Sequence, residues 1–226
     1  MDIFTRIKSI GKTASIAKIG GFRPETTDLS WFGGNFLFDP NTPWPEEDGI
    51  KLIPILQIYI PDIENGRDIF GDYELAQIFI NVDRLNHYIP KNGEGWRIVF
   101  YKEIKGLVQS TTPDTAALLK PFPVRWSQHD KPDYPCWEES WEYADMTEIN
   151  NSKELSDRFF DEFTRYYQTK IGGYASYIQS PISKDYEFIL QISSEPKPGF
   201  MIGDNGNIYI YRSKIDNEWY LYWDCY

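Results

Sequence analysis

Ile171-Gly172-Gly173, then Ile189-Leu190-Gln191-Ile192, then Gly203-Asp204, then Ile208-Tyr209-Ile210 mark the second half of this chain. The first half spells nearly the same order, with Phe32-Gly33-Gly34, Ile55-Leu56-Gln57-Ile58, Gly71-Asp72 and Ile78-Phe79-Ile80. Matched landmarks lie 139, 134, 132 and 130 residues apart, so order is kept while spacing drifts, as in a duplicated unit. Lys18-Ile19-Gly20-Gly21-Phe22 also echoes Lys170-Ile171-Gly172-Gly173-Tyr174, but the strand spacing that follows favours Gly33-Gly34 as the counterpart. These landmarks describe a scaffold and carry no chemistry of their own.

Working outward, strands are predicted at 53–60, 76–82, 97–102, 187–193, 208–212 and 219–223, each short, apolar or aromatic, and bounded by turn residues. Asn205-Gly206 supplies a turn that tolerates positive φ. Few helices separate the strands, so antiparallel pairing is expected over a parallel sheet with crossovers. One helix is predicted over 152–168, capped by Asn151 or Ser152, with Leu155, Phe159, Phe163 and Tyr166 on one face, packed against a sheet. Another is predicted over 2–19 from the helical spacing of Ile3, Ile7, Ile10, Ala14 and Ala17. Its positive charge allows an interfacial or targeting role; the plainer reading lays it over its own domain. The prolines between Pro121 and Pro135 mark an irregular connection. The expected fold is thus a single α+β domain over 1–226, internally duplicated. Its first half runs over about 28–120, its connection over 121–150 and its second half over 151–226, both halves strand-rich and mostly antiparallel.

Composition bounds the function. A chain of 226 residues buries roughly 70% of its unfolded surface, and 17% aromatic residues, with eight Trp, sixteen Tyr and fourteen Phe, exclude a disordered segment. A net charge of −11 argues against nucleic acid as partner, because phosphate binding needs clustered Lys and Arg. The longest apolar run, 52–60, is too short to span a membrane and is broken by Pro54 and Gln57. The first residues do not read as a secretory signal, and Cys136 and Cys225 are too few for a disulfide framework, so reduced thiols and a cytoplasmic location are expected.

Motifs with chemistry are sparse. Gly11-Lys12-Thr13 ends like a phosphate-binding loop, but Arg6 stands where that loop needs its first glycine. His87 and His129 belong to no metal-binding spacing, and neither Cys225 nor Cys136 has a sequence-adjacent base, so no metal and no cofactor are expected. Asp72 and Asp204 follow glycine in both halves; they are either turn residues bonding their own backbone or paired acids across a cleft with Trp44 and Trp223. Asp133 to Glu148 carries six acids and no base, interleaved with Tyr134, Trp137, Trp141 and Tyr143. Tyr134, Trp137 and Trp141 would anchor a basic protein within a rim of Glu138, Glu139 and Glu142, or the tryptophans pack inward from a short helix with a solvated acidic face.

Several of these segments resemble the YwqG-like proteins, a bacterial family of unknown function. Ser30-Trp31-Phe32-Gly33-Gly34, Pro43-Trp44-Pro45, Ile55-Leu56-Gln57-Ile58 and Gln77-Ile78-Phe79-Ile80 are similar to its first half. Lys170 to Tyr174 with Gln179, Leu190 to Ser194, Gly203 to Gly206 and the terminal Leu221 to Tyr226 are similar to its second, over about 28–226 in all. Ala175 departs from the proline often found there. The resemblance implies an internally duplicated α+β fold in a cytoplasmic bacterial protein, with no established reaction and so no catalytic residues to carry over. Some relatives lie in toxin and antitoxin neighbourhoods. The functional expectation is therefore a non-catalytic, acidic, immunity-type module that binds a basic toxin domain; the alternative is a small-molecule-binding protein or hydrolase-like enzyme with its site between the halves.

Overall fold

A computed structural model describes residues 2–85, 89–109, 119–163 and 165–226. Ten strands form one sheet: β1 (Ala14–Ile19), β2 (Trp31–Phe32), β3 (Ile53–Tyr59), β4 (Leu75–Ile80), β5 (Trp96–Tyr101), β6 (Phe122–Gln128), β7 (Lys170–Gly172), β8 (Tyr186–Ser193), β9 (Asn207–Ser213) and β10 (Trp219–Asp224). The helices are short: α1 (Ile3–Ser9), α2 (Gly66–Phe70), α3 (Trp137–Ser140), α4 (Thr147–Asn150) and α5 (Lys153–Glu162). The expected strand-rich, antiparallel α+β class is what is found.

The antiparallel pair β1 and β6 forms the centre of the sheet. On one side of it follow β7, β8, β9 and β10; on the other follow β2, β3, β4 and β5. Both wings carry a β-bulge at the same place, between Pro54 and Leu56 in β3 and between Phe188 and Leu190 in β8. They also share a hydrogen-bond device. The Gln57 side chain accepts from Leu37 N (2.7 Å) and donates to Leu29 O (2.7 Å); Gln191 accepts from Ser176 N (2.9 Å) and donates to Gln168 O (3.1 Å). Gln77 then donates to Leu37 O and the Tyr209 hydroxyl to Ser176 O. In each wing the glutamine holds the chain that leaves a Gly-Gly turn, where Gly33 and Gly172 adopt φ of 76° and 73°, a conformation that disfavours any side chain.

The sheet curls until its ends nearly meet. Asn92 N donates to Trp219 O (2.8 Å) and Leu221 N to Pro90 O (3.0 Å), so the segment leading into β5 lies along β10. Phe70 stacks on Trp219 across the same seam. Curling protects the outer edges, which would otherwise template pairing with other chains. It also buries one continuous core: Leu56, Ile58, Ile78, Ile80, Trp96 and Ile98 of one wing pack with Leu190, Ile192, Ile208, Ile210 and Leu221 of the other. The alternate residues face outward into satellite clusters. Phe79 meets Phe36, Phe38 and Leu52 on one wing, while Tyr209 and Tyr211 meet Ala175 on the other. With both faces covered, β4 is buried along its whole length.

Three sequence expectations are corrected. The helix predicted over 2–19 stops at Ser9, and Ala14–Ile19 is the central strand β1. Asp2 caps the helix through Thr5 N, and Gly11 then lies against Pro132 and the Tyr134 ring, where a Cβ would have no room. The helical propensity of Ala14 and Ala17 is overridden because β6 and β7 bracket this segment and satisfy its backbone. The irregular connection contains strand β6; Pro123 is accommodated near its beginning, where β2 contributes only two residues of pairing. Helix α5 ends at Glu162, short of 168, and packs by Phe159 against Phe4, Ile7, Met146 and Ile149, so its principal partners are other helices and not the sheet.

Candidate functional site

The acidic aromatic stretch divides between core and surface. Cys136 caps α3, its Sγ accepting from Glu139 N (3.4 Å), and this turn sends neighbouring side chains in opposite directions. Trp137 packs inward on Phe159 (5.3 Å between ring centres) and Phe160 (5.8 Å). Tyr134 is half-buried against Phe163. Glu138 and Glu142 are exposed, and Trp141 is 43% exposed. Glu139 is half-buried and lines a cavity.

That cavity, of about 190 Å³, lies between α3, the segment 174–188 and the outer face of β9. Tyr143, Tyr174, Tyr177, Tyr211 and Ile182 line it with Glu139, and the exposed Lys12, Lys184, Lys214, Glu142 and Glu187 stand around them. Lys12 Nζ sits 4.1 Å over the Tyr174 ring. The tyrosine hydroxyls largely spend their hydrogens within the protein: Tyr174 donates to Ile10 O (2.6 Å) and Tyr211 to Tyr177 Oη (2.7 Å). Burial pushes the Tyr143 phenol up to about 12 and raises those of Tyr174, Tyr177 and Tyr211, so all remain neutral at physiological pH.

Glu139 differs from these neighbours. Its Oε2 is buried and has no hydrogen-bond partner among the described residues. Burial pushes its carboxyl up to about 7, with Lys12 opposing the shift and Glu142 and Asp133 adding to it. The folded state therefore binds a proton here that the unfolded chain releases near the ordinary value of 4.5. The stabilisation from that proton is present below 4.5 and lost as pH rises through about 7. Glu139→Gln should accordingly increase folding stability, measured by urea unfolding, more at pH 8 than at pH 5, by on the order of 2 kcal/mol between those limits. Equal changes at both pH values would show that Glu139 is not held in this way.

A second cavity, of about 550 Å³, adjoins the first through Lys12, Glu187 and Phe188. It lies between wings: Asn65, Asp68 and Ile69 face Gly172, Gly173, Phe188 and Arg212. Arg212 donates to Glu187 (2.7 Å) and to Ile69 O (3.4 Å), tying the two wings at its edge.

Two buried carboxylates, Asp133 and Asp224, hold in place chain that borders the first cavity. Asp133 and Lys170 are both fully buried and paired at 2.7 Å, with Lys170 also donating to Ser176 Oγ (2.9 Å). Asp133 accepts further from Tyr174 N (2.9 Å), and a Cβ on Gly173 would run into its carboxylate. Burial lowers the affinity of Lys170 for its proton while Asp133 restores part of it. Asp224 accepts from Ile178 N (2.9 Å), Gln179 N (3.0 Å) and the Tyr209 hydroxyl (2.8 Å), fixing the segment that roofs the first cavity.

Sequence reasoning brought Glu139 and Glu142 forward as rim residues of a protein interface, and the structure places both at this cavity. It gave no weight to Lys12, Lys170 or Tyr177. A lysine inside the otherwise apolar Lys170-Ile171-Gly172-Gly173 was the available signal for a buried ion pair. The proposed cleft set is dispersed. Trp44 stacks on Phe38 in an outer cluster of one wing (4.8 Å), while Trp223 packs against the main core. Asp72 and Asp204 are exposed at turns and line neither cavity. His129 bonds Tyr166 through Nδ1 (2.7 Å); His87 lies outside the described residues. Among the described residues, no three His, Cys, Asp or Glu side chains gather as metal ligands, and no helix is long and apolar enough to cross a membrane. Cys136 is buried, and its thiol is pushed up to about 12, which keeps it a poor nucleophile.

No curated protein matches this chain. A family model described as "Domain of unknown function (DUF1963)" matches residues 30–225, which include every strand of the ten-stranded sheet except the central β1. With most of its length inside that match, the chain belongs to the DUF1963 family.

Proposed function

We propose that this protein is a small-molecule-binding module whose site is the tyrosine-lined cavity beneath residues 174–188, and that it performs no covalent chemistry there. The observation that carries this reading is Glu139, an acid whose buried oxygen has no partner among the described residues in a cavity walled by tyrosine rings and bordered by exposed charges. Buried polar atoms are ordinarily satisfied, and an orphan at the wall of a cavity marks where a ligand supplies the missing donor. The test is a thermal-shift screen of small metabolites against the protein and against Tyr177→Trp, which fills the cavity. Hits that stabilise the first and lose their effect on the second support the reading; hits that stabilise both equally, or none at all, overturn it.

Exposed Trp141 between Glu138 and Glu142 favours a second reading, the immunity-type module that neutralises a basic toxin domain. Since Trp137 is packed on Phe159 and Phe160, the anchor in that reading is Trp141 alone. A pull-down from the host that recovers a basic protein, with recovery lost in Trp141→Ala, would support it; unchanged recovery would remove it. Cytoplasmic residence belongs to both readings.

The halves are read as copies of one ancestral unit, the arrangement also implied by the YwqG-like motifs, all of which fall largely within 30–225. The shared strand order, matched bulges and equivalent bonds of Gln57 and Gln191 support this. Superposing 31–101 on 170–224 checks it, and a fit that cannot bring Gln57 onto Gln191 together with the strands on either side counts against common origin.

A further inference from the structure

Resting on the reading of the tyrosine-lined cavity as a ligand site, we infer that its ligand is a small zwitterion of the amino-acid class, its ammonium directed inward to Glu139 and its carboxylate outward to Lys184 and Lys214. Three observations lead there. The inner wall offers an acceptor without a donor: Glu139 Oε2 is unpartnered among the described residues, and the Tyr174 and Tyr211 hydroxyls beside it are committed to Ile10 O and Tyr177 Oη. Lys12 Nζ, 4.1 Å over the Tyr174 ring, shows that this wall accepts a cation, and a ligand ammonium would supply the donor that the Glu139 oxygen lacks among the described residues.

The mouth has the opposite character. Lys184 and Lys214 are exposed, and Lys214 Nζ is drawn toward Lys184 by its bond to the Lys184 carbonyl (2.6 Å). Of the acids at the mouth, Glu187 is engaged by Arg212 (2.7 Å). An anion therefore finds two ammonium groups at the entrance, against Glu187, already neutralised by Arg212, and the exposed Glu142. Size is the third constraint. About 190 Å³ is the share of roughly six waters and falls below the ~300 Å³ at which pockets for drug-sized ligands begin. A molecule with separated opposite charges and few atoms fits; a nucleotide or a peptide does not.

The direction of the pH dependence follows. The groups that face Glu139 are Lys12, Glu142, Asp133 and Lys170, together with Tyr143 and Tyr174. An ammonium needs Glu139 ionised, so affinity should fall as pH drops from 8 to 6. A ligand that instead accepted a hydrogen bond from the protonated acid would show the reverse.

The experiment is calorimetric titration with the free amino acids, using the best binder as N-acetyl and as methyl-ester derivatives. N-acetylation and Glu139→Gln should each weaken binding about tenfold or more, the loss expected for a charge-assisted hydrogen bond. The ester should bind less tightly than the acid to the protein, and equally to Lys184→Ala/Lys214→Ala. Equal affinity for free and N-acetylated forms, or affinity that rises below pH 7, overturns the inference. If some other metabolite binds and is excluded by Tyr177→Trp while no amino acid does, the zwitterion is wrong and the cavity reading stands. If nothing is excluded by Tyr177→Trp, both fail.

Discussion

Asp133→Ala is expected to cost about 3–5 kcal/mol of folding stability, a large part of the roughly 5–15 kcal/mol a domain possesses. The substitution leaves the Lys170 ammonium fully buried with Ser176 Oγ as its remaining bond, and it strips the acceptor from Tyr174 N. The pair itself adds little net stability, because two charges had to leave water to form it; the cost comes from keeping one of them without the other. Lys170→Met in the Asp133→Ala background should therefore recover part of the loss, since it removes the stranded charge. Urea unfolding of the two variants measures this. A double variant less stable than the single one would show that the pair contributes through packing and not through charge.

Asp224→Ala is expected to cost about 2–4 kcal/mol and to loosen the roof of the cavity. Its carboxylate is 3% exposed and accepts two consecutive backbone amides, of Ile178 and Gln179, besides the Tyr209 hydroxyl. Without it, the two backbone amides lose their acceptor together, the Tyr209 hydroxyl is left with Ser176 O, and the segment 174–188 retains fewer attachments, among them Ser176 N to Gln191. Limited proteolysis should then cut within 174–188 before global unfolding, and under the proposed small-molecule reading binding at the cavity should weaken. A stability loss with an unchanged pattern of cleavage would place the effect in β10 and leave the roof intact.

The strands of the outer wings were legible because each is bounded by turn residues and carries its pattern locally. Those predicted at 53–60, 97–102 and 187–193 are found at Ile53–Tyr59, Trp96–Tyr101 and Tyr186–Ser193. The centre was not legible. Ala14–Ile19 has the composition of a helix, and Phe122–Gln128 lies among prolines, yet they are the pair from which both wings extend. What makes them strands is the partner on either side, and partners so distant in the chain leave no mark on local spacing.

The candidate site divides in the same way. Glu139 and Glu142 stood out in the sequence as acids among aromatic rings, but the sequence did not distinguish a surface rim from a cavity wall. The helical turn of α3 places residues two apart on nearly opposite sides, sending Trp137 to the helical cluster and Glu139 to the cavity, and the tyrosines that complete the wall arrive from 143, 174, 177 and 211.

By itself the sequence determined the strand-rich class, the repeated order of landmarks and the acidic, aromatic character of the chain, because these depend on residue type and on neighbours a few positions away. Only the tertiary structure decided which acid is buried without a partner, which lysine is buried with one and where the cavity lies. Burial and pairing are properties of groups brought together by the curl of the sheet: Asp133 meets Lys170 and Asp224 meets Ile178 across separations that no local pattern encodes.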